Sequence, residues 1–146
     1  MTAEQNNIAF VKRWFEEVWN DRRADLIDEM VTCESVCHMD EDAIQGPDEF
    51  KVRQYVPFIT AFPDLRIEIE AAIAQGDHVV IRWCARGTHT GEGLGFAPTQ
   101  RPACFRGISW VQVGDGKFLE GWQNSNISEI LRNLSEATPE RPDVRA

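Results

Sequence analysis

The sequence predicts an α+β fold in which N-terminal helices pack on a strongly bent antiparallel sheet that encloses a pocket. Three observations carry this. Apolar residues recur at helical spacing as far as Phe62, the pattern changes to alternation after Pro63, and short glycine turns then separate long alternating runs. With 146 residues, 42% of them hydrophobic, the chain suits one domain with its own core. That single domain is placed at residues 1–136. A fraying tail is expected at 137–146, where two prolines stand among mixed charges.

Thr2 with Gln5 fits a capping box that opens the first helix. Ile8, Val11, Trp14, Phe15, Val18 and Trp19 form its apolar face, a spacing that favours core over a ligand stripe. Asn20-Asp21 breaks the pattern, and a shorter helix follows with Leu26, Ile27, Met30 and Val31 on one side. Gly46-Pro47-Asp48 starts a third helix, with proline in the first turn where its missing N–H costs nothing. Phe50, Tyr55, Phe58, Ile59 and Phe62 give that helix its apolar face until Pro63 ends it. Pro57, inside the run, is expected to kink or split it.

Leu65, Ile67, Ile69 and Ala71 then alternate with Arg66, Glu68 and Glu70, as in a half-buried strand. Gln75-Gly76-Asp77 reads as a hairpin turn into a second strand, where Val79, Ile81, Trp83 and Ala85 alternate with Val80, Arg82, Cys84 and Arg86. A glycine-rich loop leads to a strand over 103–113, and Gly114-Asp115-Gly116 turns into another over 117–124. Ile127, Ile130, Leu131 and Leu134 suggest a closing helix.

A net charge of −9 and a pI near 4.8 argue against nucleic acid and anionic membranes as partners, since both demand basic patches. No apolar run is long enough to span a bilayer, and the start at Met1 lacks the basic flank and apolar centre of a signal peptide. A cytoplasmic location is expected. Cys33 and Cys37, with His38, offer at most half of a metal site and no second pair completes it, so no metal is expected. Cys84 and Cys104 sit in strand-like runs, and all four cysteines are expected as reduced, structural thiols.

The run Gly87-Thr-His-Thr-Gly91 with Leu94-Gly95, Pro98-Thr99 and Arg101, the strand Phe105-Arg-Gly-Ile-Ser109 and the turn Asp115-Gly116-Lys117 resemble the SnoaL-like polyketide cyclase family. The resemblance extends roughly from Ile8 to Leu134. It implies the cone-shaped nuclear transport factor two-like (cystatin-like) fold, with about four sheet strands after the third helix. It also implies a pocket for a small carbonyl-rich substrate, cofactor-free ring closure of a polyketide ester by an intramolecular aldol reaction, and homodimers paired through the outer sheet face. In that chemistry an aspartate of the last strand removes a proton beside a carbonyl while polar neighbours hold the enolate oxygen.

Matched residue by residue, the family aspartate falls on Gln123 beside Trp122, and a second acidic position falls on Asn126. Neither amide accepts a proton at neutral pH, so both can orient substrate only through hydrogen bonds. The family's polar pocket positions fall on Gly107 and Ser109. His38, in Val36-Cys-His-Met-Asp40, matches a position at the pocket mouth, and Asp40 two residues on could orient its imidazole; a surface or capping histidine fits the same residues. The candidate catalytic residues are therefore His38 and Gln123, with Trp83, Ser109, Asn126 and His89 as candidate substrate contacts. Trp83 either lines the cavity or fills the core, and His89 also suits fixing its loop. His78 reads as a solvated edge residue. The glycine-rich loop lacks the lysine and flanking elements of a phosphate loop and reads as a lid or rim.

Ile108 and Trp110 have opposite parity to Ser109. They mark an apolar outer face suited to a subunit contact, and Arg82 and Arg86 on that side can make salt bridges across it. Two functions stay open. One is a cyclase, or a hydratase, dehydratase or isomerase using the same pocket; the other is a small-molecule-binding protein that performs no chemistry.

Overall fold

The computed structural model describes residues 1–40 and 42–136, and the tail expected to fray at 137–146 lies outside the described residues. Helix α1 spans Ala3–Arg13 and continues through a π-helical stretch, Trp14–Asn20. Its capping box forms as the sequence indicates. Thr2 Oγ1 accepts from the Gln5 N–H at 3.0 Å, and the Gln5 side chain accepts from the Thr2 N–H at 2.9 Å. Val11, Phe15, Val18 and Trp19 are buried, so the aromatic stripe is largely core. At the helix end the Asn20 amide donates to Ile67 O (2.8 Å) and accepts from Ile67 N (2.7 Å), pinning helix to sheet.

Helix α2, Asp25–Met30, buries Leu26, Ile27 and Met30. Val31 does not extend it. Val31 is already extended and opens strand β1, Val31–His38, which pairs with the short strand β2, Ala43–Gln45. Neither strand was foreseen from the sequence. Thr32, Glu34 and Ser35 interrupt any clean alternation, and the register of β1 slips between Val31 and Val36.

Helix α3, Gly46–Phe50, passes through π-helical turns at Lys51–Tyr55 into α4, Val56–Ala61. The irregularity expected at Pro57 therefore lies just before it: the ring cannot donate to the preceding turn, and the helix accommodates it by widening.

Strands β3 (Arg66–Gln75), β4 (His78–Thr88), β5 (Pro102–Gly114) and β6 (Lys117–Ser125) form an antiparallel meander, and helix α5 (Ile127–Glu136) closes the chain. The β5–β6 turn places Asp115 and Gly116 at φ 52° and 71°, both left-handed, which suits aspartate and glycine and matches the twist of a hairpin. The six strands run in the order β2-β1-β6-β5-β4-β3. The sheet is mixed, because β1 runs parallel to β6.

Alternation decides the two faces of the sheet. Val79, Ile81, Trp83, Ala85, Phe105 and Ser109 are buried toward the helices, while Arg82 and Arg86 point outward to Glu70 (3.2 Å) and Glu68 (3.9 Å). On that outer side Ile108 and Trp110 are 47% and 50% exposed, and Trp122, paired with Trp110 across β5–β6, is 38% exposed. No helix among the described residues is long and apolar enough to cross a membrane.

Candidate functional site

Between the helices and the concave face of the sheet lies a cavity of about 130 Å³. That is close to the roughly 150 Å³ of an apolar cavity known to accept a benzene ring. Trp14, Phe15, Trp19, Phe50, Phe58 and Phe105 are among the aromatic residues of its wall. Trp83, Ser109 and Gln123, all expected as site residues, line it too.

These three are joined in a chain of hydrogen bonds. The Trp83 Nε1–H donates to Ser109 Oγ at 3.0 Å, and Ser109 Oγ donates to Gln123 Oε1 at 2.7 Å. Register explains how they meet. Trp83 is level with Gly107, and Ser109 is level with Gln123 on the next strand. The indole lies across Gly107, where an added Cβ would stand 2.4 Å from Trp83 Cζ2. Only a residue without a side chain lets the ring reach Ser109.

The chain runs one way. The indole N–H donates to Ser109, and Ser109 in turn donates to the Gln123 carbonyl oxygen. The Gln123 amide nitrogen is thereby left free, with no partner among the described residues.

The other candidates lie elsewhere. His38 ends β1 level with Trp122, and its ring stacks on that indole at 5.6 Å and 19°. Alternation along β6 sets Trp122 opposite Gln123, yet Trp122 also borders the cavity; His38 itself is not part of the wall. Its Nε2 meets Glu120 Oε2 at 2.6 Å, not Asp40, whose carboxylate accepts from Ser128. His38 and Gln123 do not converge.

Asn126 is turned from the cavity as well: its Oδ1 accepts from the Arg106 N–H at 2.8 Å, and its backbone carbonyl starts α5. His89 is fully buried outside the cavity wall. Its Nδ1 accepts from the Thr99 N–H at 3.2 Å, so the proton resides on Nε2, which sits without a partner near the rings of Phe62 and Phe96. Burial holds its pKa below the ordinary imidazole value. The loop it anchors packs against α4, with Thr90 and Gly91 donating to Ala61 O. It does not rim the cavity, as had been expected of a lid.

Three wall residues escaped sequence reasoning. Cys37 has its thiol pushed up to about 11 by burial, so it stays protonated at neutral pH. Glu120 touches the wall but turns its carboxylate to His38. Gln54 projects from the π-helical turns, and its Oε1 is buried without a partner. Its signal was present in the sequence: Gln54 stands four residues from both Phe50 and Phe58, a polar residue on an apolar stripe. Among the described residues no group of three or more His, Cys, Asp or Glu side chains could hold a metal.

A bent sheet capped by helices around an aromatic cavity with a few converging polar groups defines a small-molecule pocket protein. The SnoaL-like polyketide cyclase family model matches residues 9–134, and the chain belongs to that family. The fold is shared with a SnoaL-like protein from Jannaschia sp. CCS1, at 22% identity and TM-score 0.83 over 95% of this chain and 97% of that one. It is shared with AclR, a proposed hydroxylase from Streptomyces galilaeus, at 23% identity and TM-score 0.80 over 97% and 88%. IdmH, a proposed polyketide cyclase from Streptomyces antibioticus, aligns at 23% identity and TM-score 0.72 over 88% and 98%. No protein of curated function matches the sequence.

Proposed function

We propose that this member of the family holds a planar, carbonyl-rich small molecule of the polyketide-ester kind, with a carbonyl oxygen on the Gln123 amide N–H. The observation that carries the reading is the chain from Trp83 through Ser109 to Gln123, which leaves the amide N–H of a wall residue without a partner among the described residues. Such a donor stabilises charge developing on a carbonyl or enolate oxygen, and the aromatic wall supports a flat ligand. The site thus keeps the carbonyl-holding half of cyclase chemistry. Among the described residues the wall offers no free base for the proton-removing half: Cys37 is held neutral and Glu120 is committed to His38.

Installing the missing base tests this. Gln123→Asp should gain cyclisation of a polyketide methyl ester that the parent turns over at least a hundredfold more slowly. Equal or faster turnover by the parent would show that its own residues supply the base. A second reading, acid–base catalysis by the His38–Glu120 pair, is favoured by their 2.6 Å contact beside the cavity and requires His38→Ala to abolish turnover while binding survives.

Two copies pair, on this reading, through Ile108, Trp110 and Trp122 on the outer sheet face, covering large apolar side chains that otherwise meet water.

A further inference from the structure

Gln54 is the strongest group in the cavity that the reading above leaves without a task. Gln54 lines the cavity, and its carbonyl oxygen is shut off from solvent and accepts from nothing among the described residues. Leaving a buried acceptor unmade is costly, and an apolar residue of similar size would avoid that cost. A second feature points the same way. Gln54 lies in the π-helical turns Lys51–Tyr55, and single π-turns inserted in α-helices are often found at functional sites, where they redirect a side chain. Here the widened turns put Gln54 on the cavity wall together with Phe50 and Phe58.

The charges of the wall narrow the ligand further. Glu120 is its one ionised side chain among the described residues, it is acidic, and it already serves His38. Among the described residues no arginine or lysine faces the cavity to receive a carboxylate. An anionic ligand would lose its hydration without gaining a countercharge.

We infer that Gln54 is a specificity-determining residue: turning its terminal amide into the cavity lets its carbonyl accept a hydrogen bond from a hydroxyl of the bound molecule, so that the cavity selects neutral, planar hydroxy-carbonyl compounds over their deoxy and carboxylate analogues. The inference rests on the proposal that Gln123 holds the carbonyl. The two amides then read the two ends of one polar pattern, Gln123 donating to C=O and Gln54 accepting from O–H. The polarity matters: a molecule with two acceptors satisfies only Gln123.

The test titrates the intact protein with 3- and 4-hydroxyacetophenone, acetophenone and 4-hydroxybenzoate, using calorimetry or quenching of tryptophan fluorescence. The better-placed hydroxyacetophenone should bind about five- to tenfold more tightly than acetophenone, the difference expected of one hydrogen bond, with 4-hydroxybenzoate weaker than both. Gln54→Leu should erase that preference and leave acetophenone affinity within about twofold, whereas Gln54→Glu, which keeps an acceptor, should retain it. Gln123→Leu should weaken all ketones alike.

Each failure has its own meaning. If Gln123→Leu changes nothing while Gln54→Leu erases the hydroxyl preference, the carbonyl assignment falls and Gln54 stands. If the parent shows no hydroxyl preference, if Gln54→Leu preserves it, or if no ketone binds, the inference on Gln54 is overturned. Thermal melting of the unliganded variants supplies a check independent of any ligand. Removal of an unserved buried acceptor should leave Gln54→Leu at least as stable as the parent, and marked destabilisation would assign Gln54 a structural role instead.

Discussion

Replacing Ser109 by alanine breaks the polar chain at its centre. Ser109 is 5% exposed and Trp83 is 4% exposed, so neither freed partner turns easily to solvent. Two hydrogen bonds disappear, at 3.0 and 2.7 Å. Each contributes about 1 kcal/mol net, and a buried donor left unmade adds a penalty of about 1–3 kcal/mol. The Gln123 carbonyl can swing into the cavity, so its share is small; the indole N–H is held over Gly107 and bears most of the cost. The expected total is about 2–4 kcal/mol, a fall in Tm of roughly 6–14 °C for a domain of this size. Urea denaturation followed by far-ultraviolet circular dichroism measures it. Trp83→Phe removes the same donor, so adding Ser109→Ala to it should cost at most about 1 kcal/mol further. A Ser109→Ala cost below about 0.5 kcal/mol, or strict additivity with Trp83→Phe, would refute the claim that these groups act as one unit.

Other outcomes follow from the same geometry. Gly107→Ala drives a methyl group to 2.4 Å from the Trp83 ring and 2.9 Å from Asn124 O, so it should cost about 1–3 kcal/mol and shift the tryptophan emission; a neutral substitution would mean that the indole does not lie across that position. Burial keeps His89 neutral in the fold, with its pKa below the ordinary value of about 6.5, so the stability it contributes is complete above pH 6.5 and falls away as the pH drops below it. The Tm of the parent should therefore decline as the pH falls below 6.5, and this decline should shrink in His89→Asn. Trp110→Glu should convert the proposed dimer to monomer in sedimentation without altering the fold, since Trp110 is half exposed; a parent that is already monomeric would remove the case for pairing.

The sequence made most of the frame legible because its signals were local. Thr2 and Gln5 formed their capping box, Pro57 sat at a helical irregularity, and Gly76 and Gly116 turned the chain where alternation paused. Strand β1 was hidden because its parallel partner, β6, lies some eighty residues away, and because the short link from β1 to β2 carries no glycine or proline to announce a turn. The same gap misled the reading of His38. Placed after a helix, it was free to face the pocket; placed on a strand level with Trp122, it takes the outer face by alternation alone. Trp83, Ser109 and Gln123 were legible as site residues, Trp83 from the alternation of its strand and the other two from the family resemblance. The direction of their hydrogen bonds was not, since it depends on the indole lying over Gly107.

The central claim is that Gln123 presents a donor to a carbonyl oxygen, and infrared difference spectroscopy of bound carbonyl-¹³C acetophenone tests it most directly. The account expects the C=O stretch to move to lower frequency on binding to the parent protein, and to return to its apolar-solvent position in Gln123→Leu. An unshifted band in the parent, or the same shift in both proteins, would contradict it.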